Sequence, residues 1–282
     1  MPDRGKQFEY AVIIAAYSRI DVLPADLKPA YASLRVQKPL IEKGVFAVAD
    51  KLVGDLSKSI SGAQAKQTFY KSFKQLGGGA GGGGEPKTDV LFVKGGKKHR
   101  CSLKWGDAWQ LSSAGVATTV SQLTAVLNNT KNRLGSGMNN KTIQDISKFL
   151  VELNDAFGDL PKKIEQHKIK KLLDSNAHLQ DKFQRLLGSR ATPNVVANGY
   201  QQFKLNVIEE MLTGKLTFKN NDKTADWILV GGTSQDGLRK IDSRLIAEVA
   251  SKTYVRLRLK GRGKSDTGIR LNELVVTIEP KT

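Results

Sequence analysis

The sequence predicts a globular protein of the mixed α and β class. Apolar residues recur at helical spacing in the N-terminal part and again in the middle of the chain. They alternate with polar residues, as in strands, around residue 90 and towards the C-terminus. Hydrophobic residues make up 39% of the 282 residues, enough for the core of one large domain or two small ones.

The first region, residues 1–76, is predicted to be helical. Residues 6–17 (KQFEYAVIIAAY) have one strongly apolar face, and helical patterning returns in residues 38–60 and in 65–76 (AKQTFYKSFKQL). Pro24 and Pro29 indicate a loop between the first two of these segments.

A glycine-rich run, GGGAGGGG at residues 77–84, divides this region from the next. A phosphate-binding loop of the Walker type ends in Gly-Lys-Ser/Thr and leads into a helix, whereas Glu85 and Pro86 follow here. The run is therefore predicted to be a flexible linker. A loop that borders an active site is the alternative.

Residues 85–129 are predicted to form a hairpin and a helix. In TDVLFVKGGKKHRCSLKW, two runs of strand-forming residues flank Gly95-Gly96, which indicates a two-residue turn. With that turn, residues whose numbers sum to 191 lie opposite each other. A helix is expected from Ala114 onwards.

The remaining chain is predicted to form a helical subdomain at residues 130–222, followed by strands at 223–282 that complete the sheet of the hairpin. Helical segments are DISKFLVELNDAFGDL, HKIKKLLDS, NAHLQDKFQRLLG and FKLNVIEEMLTG. The alternating segments are DWILVGG, KTYVRLRLKGRG and GIRLNELVVTIEP.

The charge of the chain predicts a polyanionic partner. Lys and Arg number 45 against 27 Asp and Glu, a net charge of +18. No stretch has the roughly 18 apolar residues that a membrane span needs, so nucleic acid is favoured over a membrane. The charged N-terminus does not resemble a signal peptide and the single Cys101 excludes an internal disulfide, so a cytoplasmic protein is expected.

Three polar residues of the hairpin are predicted to cluster on one sheet face. Asp89 lies opposite Ser102, and Lys104 lies two residues further along on the same face, while Cys101 and Leu103 point to the core. A carboxylate there can hold a divalent metal, and the ammonium can position the water that attacks a phosphodiester. Mg²⁺ suits such oxygen ligands. An ordinary exposed Asp and Lys is the alternative.

These residues resemble the core of the PD-(D/E)xK, or restriction-endonuclease-like, nuclease superfamily. The resemblance is carried by Lys87-Thr88-Asp89-Val90, the short hairpin and Ser102-Leu103-Lys104. It implies a helix, three antiparallel strands, a helix and a fourth strand: a central mixed sheet flanked by helices, here with a helical insertion. It also implies a phage or mobile-element origin.

The resemblance extends to two further residues and departs from the family at one. Glu9, in Arg4-Gly5-Lys6-Gln7-Phe8-Glu9, is similar to the glutamate of the family's first helix, and Gln110 to a glutamine after the motif lysine. Ser102 stands where the family has an acidic residue. A second metal carboxylate is therefore expected from Glu9 first, then Glu85, then Asp107. Trp105 and Trp109 are either core residues or stacking platforms.

Basic residues in two segments are predicted to contact the phosphate backbone. Arg256, Arg258 and Lys260 recur at every second position, with Val255, Leu257 and Leu259 on the buried face. Arg262 and Lys264 extend this basic run, and Lys170 and Lys171 give a basic helix face. In both segments a merely solvated surface is the alternative.

The leading hypothesis is a Mg²⁺-dependent DNA endonuclease. Mn²⁺ is expected to substitute for Mg²⁺. RNA is the alternative substrate, and a homodimer is compatible with the sequence. The alternative is a non-catalytic nucleic-acid-binding or assembly protein on a degenerate nuclease fold, for which Ser102 is the main argument.

Overall fold

The computed structural model describes residues 4–19, 25, 28–58, 69–72, 87–94, 97–158, 166–188, 199–219, 223–265 and 268–280. The predicted mixed α and β class is confirmed: helices and strands both contribute, and the fold is of the α+β type. None of the described helices combines the length and apolar character that crossing a membrane requires.

The elements follow one another along the chain with helices at the beginning and in the middle and strands between and after them. In order they are α1 Arg4–Tyr17, α2 Lys28–Arg35, a 3₁₀ turn Lys38–Leu40, α3 Lys43–Lys58, β1 Phe69–Ser72, β2 Val90–Lys94, β3 Lys97–Trp105, β4 Trp109–Gly115, α4 Val116–Leu134, a 3₁₀ turn Gly135–Gly137, α5 Asn140–Phe157, α6 Gln166–Gly188, α7 Gly199–Thr213, α8 Lys215–Phe218, β5 Trp227–Gly231, β6 Gly237–Lys240, α9 Ser243–Lys252, β7 Thr253–Ser265 and β8 Gly268–Pro280.

The chain divides into two compact units. The first contains residues 1–109 and 212–245, and the second contains residues 110–211 and 246–282. Each unit combines two segments that are distant in sequence.

The first unit is built on a mixed sheet with the strand order β1-β2-β3-β5-β6. Strand β2 is antiparallel to both β1 and β3, β5 runs parallel to β3, and β6 is antiparallel to β5. The hairpin register is confirmed, since pairing runs from Lys94 opposite Lys97 to Val90 opposite Cys101. The turn residues Gly95 and Gly96 lie outside the described residues.

Helix α1 forms the centre of the apolar core of this unit. Its residues from Phe8 to Tyr17 are buried almost without interruption, apart from Glu9 and Tyr10, and Cys101 and Leu103 of β3 belong to the same core. A helix that is apolar nearly all round is stable only when it is covered on most sides, and α3 and β3 both pack against α1. The predicted helix at 6–17 is thus confirmed.

The second unit combines helices with a separate three-stranded sheet of order β4-β8-β7. The ring of Phe149 in α5 stacks on that of Phe183 in α6 at 5.4 Å, and α6 also packs against β7. Asn139 caps α5, because its side chain accepts a hydrogen bond from the Thr142 backbone N–H at 2.7 Å.

Two expectations about the strands are wrong. Residues 65–76 were expected to be helical, but Phe69–Ser72 is strand β1, because pairing with β2 outweighs the local helical spacing. The C-terminal strands were expected to complete the hairpin sheet, but only β5 and β6 do so. Strands β7 and β8 pair with each other and with β4 in the second sheet.

Candidate active site

Helix α1 fixes the position of Glu9 through the two residues that precede it. The Gln7 side chain is buried, and its Oε1 accepts a hydrogen bond from the Glu42 backbone N–H at 2.8 Å. Phe8 is fully buried and packs against Trp105, with ring centroids 5.3 Å apart. The backbone just before Glu9 is therefore held by buried contacts.

Asp89 directly precedes strand β2 and is held against β3 by hydrogen bonds. The Asp89 backbone N–H donates to the Cys101 carbonyl at 2.9 Å. Its carboxylate Oδ2 accepts hydrogen bonds from the Leu103 backbone N–H at 2.7 Å and from Ser102 Oγ at 3.2 Å. Strand pairing ends at Val90 opposite Cys101, so Asp89 contacts Ser102 through this side-chain hydrogen bond, and the Ser102 hydroxyl orients the carboxylate.

The start of β2 is attached to the segment before β5, which steadies Asp89 from the other direction. Thr88 is buried, and its Oγ1 donates to the Thr224 carbonyl at 2.6 Å. The Lys87 backbone N–H donates to the Lys223 carbonyl at 2.8 Å. Polar side chains that are buried in this way hold the backbone in one arrangement.

Lys104 lies on the parallel part of the sheet, two residues after Ser102. It is half-buried and pairs with Val230 of β5, between Leu103 and Trp105. Trp105 packs on Phe8, and a Cβ atom at Gly232 would lie 2.6 Å from its indole ring. Trp105 is partly buried and packs against the core, in agreement with one of its two predicted roles. The Trp109 indole N–H donates to the Gly106 carbonyl at 2.6 Å.

The charges of Glu9, Asp89 and Lys104 interact with one another. Burial and, next, the negative charge of Asp89 raise the pKa of the Glu9 carboxyl to about 7, while Lys6 and Lys104 act in the opposite direction. Glu9 exposes only 27% of its side-chain surface. The two carboxylates are thus close enough for the ionisation of one to oppose that of the other.

Lys6 belongs to this cluster and was missed in the sequence. Its Nζ lies 2.7 Å from Glu9 Oε2, one helical turn away. Burial lowers the pKa of the Lys6 ammonium, but the charge of Glu9 and its hydrogen bond, with contributions from Tyr10 and Asp89, raise it above its ordinary value. The signal was available: a lysine three residues before a glutamate faces it on a helix.

Cys101 borders the cluster but is chemically inert. The thiol is fully buried, and burial together with the charge of Asp89 raises its pKa well above the ordinary value. A protonated thiol is neither a nucleophile nor a metal ligand. We therefore assign Cys101 to the core, in agreement with the sequence pattern.

The other predicted site residues have no described contact with these groups. Asp107 is exposed in the turn after β3, and Glu85 lies outside the described residues. Gln110 is the second residue of strand β4 rather than part of a helix or loop, and its side chain lies outside the described part. Within the described residues, no three Asp, Glu, His or Cys side chains come together as a metal-binding group.

The predicted alternation of the basic strand is confirmed where the structure describes it. Val255 and Leu257 are buried, and Arg256 and Arg258 are exposed. The side chains of the other predicted nucleic-acid contacts lie outside the described part; they are Lys260, Arg262 and Lys264 in β7 and Lys170 and Lys171 in α6.

Comparison of the chain with protein-family models, with curated proteins and with solved structures gives no match in any of the three. The interpretation of the site therefore depends on its residues.

Proposed function

We propose that the chain is a metal-dependent DNA endonuclease that hydrolyses phosphodiester bonds. In this proposal Glu9 and Asp89 hold Mg²⁺, or Mn²⁺ as a substitute, and Lys104 lies beside the attacking water. The observation that carries it is the interaction of Glu9, Asp89 and Lys104, which brings two carboxylates and an ammonium from α1 and the β2–β3 hairpin into one mostly buried cluster.

The order of elements in the first unit supports the resemblance to PD-(D/E)xK nucleases. Helix α1 precedes three antiparallel strands, β1 to β3. The end of α7 and the short helix α8 then lead to β5, which lies beside β3. Apart from α2 and α3 between α1 and β1, and from β4 to α7 between β3 and α8, this order agrees with the helix, three strands, helix and fourth strand that the superfamily implies.

The donor set of the cluster fits a hard divalent cation. Mg²⁺ binds oxygen ligands and is held in proteins by one or two carboxylates, with waters and substrate phosphate at its other positions. Two carboxylates are what the cluster offers. Burial and, next, the charge of Asp89 raise the pKa of Glu9, so ionising Glu9 is costly, and a bound cation would offset that cost.

Each residue then has a separate task in hydrolysis. A bound Mg²⁺ acidifies water and neutralises the charge that develops on the phosphate. Lys104 donates a hydrogen bond that orients the attacking water, and Asp89 is held in place by Leu103 and Ser102. Lys6 keeps Glu9 directed at the cluster through its ion pair.

A non-catalytic nucleic-acid-binding or assembly protein is the second candidate, and Ser102 favours it. The hydroxyl stands where the superfamily has a carboxylate, and it is buried and donates to Asp89. The cluster accordingly has two carboxylates and no third acidic group among the described residues. A fold that kept its shape but lost metal affinity would have this composition.

DNA as the substrate, with RNA as a second possibility, is proposed from the net charge of +18 and the exposed arginines of β7. Action in the cytoplasm, or in the host cytoplasm for a phage-encoded protein, and a homodimeric state are parts of the same proposal.

The test is cleavage of supercoiled plasmid with Mg²⁺ or Mn²⁺ and with EDTA. We compare the parent protein with Asp89→Ala, Lys104→Ala and the control Lys240→Ala, which removes a lysine from the exposed end of β6 on the same sheet. The proposal expects nicking by the parent and the control, and loss of nicking in EDTA and in the two site variants.

Nicking that survives both site substitutions would assign any activity to another site and contradict the proposal. Binding of DNA without cleavage under any metal would establish the non-catalytic candidate instead.

A further inference from the structure

An exposed aromatic residue lies in line with the arginines of strand β7. From Thr253 to Arg258, burial and exposure alternate without exception, so Tyr254, Arg256 and Arg258 share the outer face of the strand. Tyr254 exposes 38% of its surface, one of the largest values for an apolar side chain among the described residues. Alternate residues of a strand are about 7 Å apart.

The charge of this Tyr254/Arg256/Arg258 face is only partly balanced. Arg256 Nε lies 2.8 Å from Glu279 Oε2, and Glu279 stands opposite Tyr254 on β8. Arg258 stands opposite the buried Val275 and has no ion pair with any described residue. One net positive charge therefore remains on a short strand segment in a chain that is strongly basic as a whole.

The backbone under this face is held firmly. Strand β7 pairs with β8 in one unbroken register from Thr253 to Lys260, and the first irregularity comes after Lys260. The buried ammonium of Lys204 donates to the carbonyls of Ala250 and Thr253 at 2.7 and 3.2 Å, which fixes the start of the strand. On the outer edge, Leu259 N–H donates to Asn176 Oδ1 at 3.0 Å.

We propose that the Tyr254/Arg256/Arg258 face binds single-stranded nucleic acid, with an unpaired base on Tyr254 and backbone phosphates on the two arginines. Aromatic side chains interleaved with basic residues are the features that bind single strands, because any base offers a face for stacking. Within a duplex these faces are covered by the neighbouring bases. An exposed tyrosine on a rigid strand therefore favours an unpaired segment over a duplex.

This inference rests on the proposal that the protein handles nucleic acid, and it is independent of cleavage. It names single strands as the class of nucleic acid, and it adds Tyr254, which a search for basic residues does not find. Tyr254 gives the preference for single-stranded over double-stranded nucleic acid, whereas Arg256 and Arg258 attract any phosphate backbone.

The test is the affinity of the full chain for a short fluorescein-labelled DNA strand and for the same strand in a duplex, measured by fluorescence anisotropy in EDTA. EDTA removes divalent metal, so the result does not depend on catalysis. The variants are Tyr254→Ala, Tyr254→Phe and Arg258→Met. Circular dichroism checks that each variant is folded, which is expected because these side chains are exposed.

The parent is expected to bind the single strand more tightly than the duplex. Tyr254→Ala weakens single-strand binding by about 5- to 100-fold and leaves duplex binding within about twofold, while Tyr254→Phe keeps the parent affinity because the ring remains. Arg258→Met weakens the binding of both DNA ligands and reduces the salt dependence of both affinities.

Equal affinity of Tyr254→Ala and the parent for the single strand would overturn this inference alone, leaving the proposed nuclease intact. Binding of anionic lipid vesicles in place of either DNA would overturn it as well. Single-strand binding that depends on Tyr254, in a protein without nuclease activity, would support the inference while the nuclease proposal fails.

Discussion

The cluster around Glu9 and the outer face of β7 both collect charged residues, but they differ in burial. Glu9 exposes 27% of its side-chain surface and lies beside the fully buried Phe8, whereas Arg256 exposes 46% and faces solvent. Burial disfavours the charged carboxylate and, together with the charge of Asp89, raises the pKa of Glu9 to about 7. Exposed charges are screened by salt and act mainly by attracting a partner.

On the proposed function, similar residue types serve chemistry in the first region and affinity in the second. A mostly buried carboxylate pair, with its energetic cost of ionisation, is suited to bind a cation and to hold water. Arginines on a rigid exposed strand are suited to hold a flexible polyanion. Substitutions in the two regions should therefore change different measured quantities.

The largest effect is expected from exchanging lysine for methionine at Lys104. Because its ammonium orients the attacking water, Lys104→Met should lower kcat by about 100-fold or more. DNA affinity should stay within about twofold. The Arg256→Met/Arg258→Met double variant should do the reverse, with kcat retained and Kd raised roughly tenfold. Steady-state cleavage and anisotropy measure the two quantities, and equal effects on both in either variant would contradict the division of tasks.

The next largest effect is expected from disturbing the packing of Phe8 beside Glu9. A Cβ atom at Gly231 would lie 2.7 Å from the Phe8 ring. Gly231→Ala should therefore lower the free energy of unfolding by about 1–3 kcal/mol. It should also reduce cleavage, because the displaced Phe8 is the residue next to Glu9. The control is Gly44→Ala in α3, where no atom lies within 4 Å of the added Cβ. It should be neutral or stabilising by about 0.5–1 kcal/mol in urea unfolding.

The pH dependence of stability measures the cost of ionising Glu9. Its pKa is about 7 in the folded protein and near 4.3 in an unfolded chain, so the folded state retains the proton. The stability that this gives is complete at low pH and is lost as the pH rises through about 7. Glu9→Gln, which mimics the protonated form, should be more stable than the parent by about 1–2 kcal/mol at pH 8 and equal to it near pH 4.

Denaturant unfolding at the two pH values checks the result, with Asp55→Asn as the matched control. Asp55 also pairs with a lysine on a helix, Lys51 at 3.2 Å, but it is exposed. A gain in Asp55→Asn as large as that in Glu9→Gln would show that burial is not the cause.

The smallest effect concerns the acidic neighbour of Arg256. Glu279→Gln removes the carboxylate that pairs with Arg256, so single-strand affinity should rise by about two- to fivefold at low salt. The gain should disappear at high salt. Asp181→Asn removes an exposed carboxylate from α6 of the same unit and controls for net charge. An equal gain in both variants would assign the effect to the overall field.

Local patterns in the sequence predicted the features that depend on nearby residues. The Gly95-Gly96 turn sets a register, and the structure has that register from Lys94 opposite Lys97 onwards. Alternation in β7 likewise predicted which side chains are buried. In both cases the information lies within one strand or one hairpin.

Features that depend on distant pairing were missed. Strand β1 has only four residues, in a segment whose spacing is helical, and its pairing with β2 decides its form. Helix α9 and strands β4 and β6 were not predicted either. The division into two sheets depends on β4 joining β8, more than 150 residues away. No local pattern encodes such a partner.

The most direct test of the proposed metal site is the binding of Mn²⁺, measured by isothermal titration calorimetry. The claim is that Glu9 and Asp89 together hold one divalent ion. The parent and the control Asp55→Asn should bind Mn²⁺ alike, whereas Glu9→Gln and Asp89→Asn should both lose the binding heat. Binding that is the same in all four proteins, or absent from the parent, would contradict the claim.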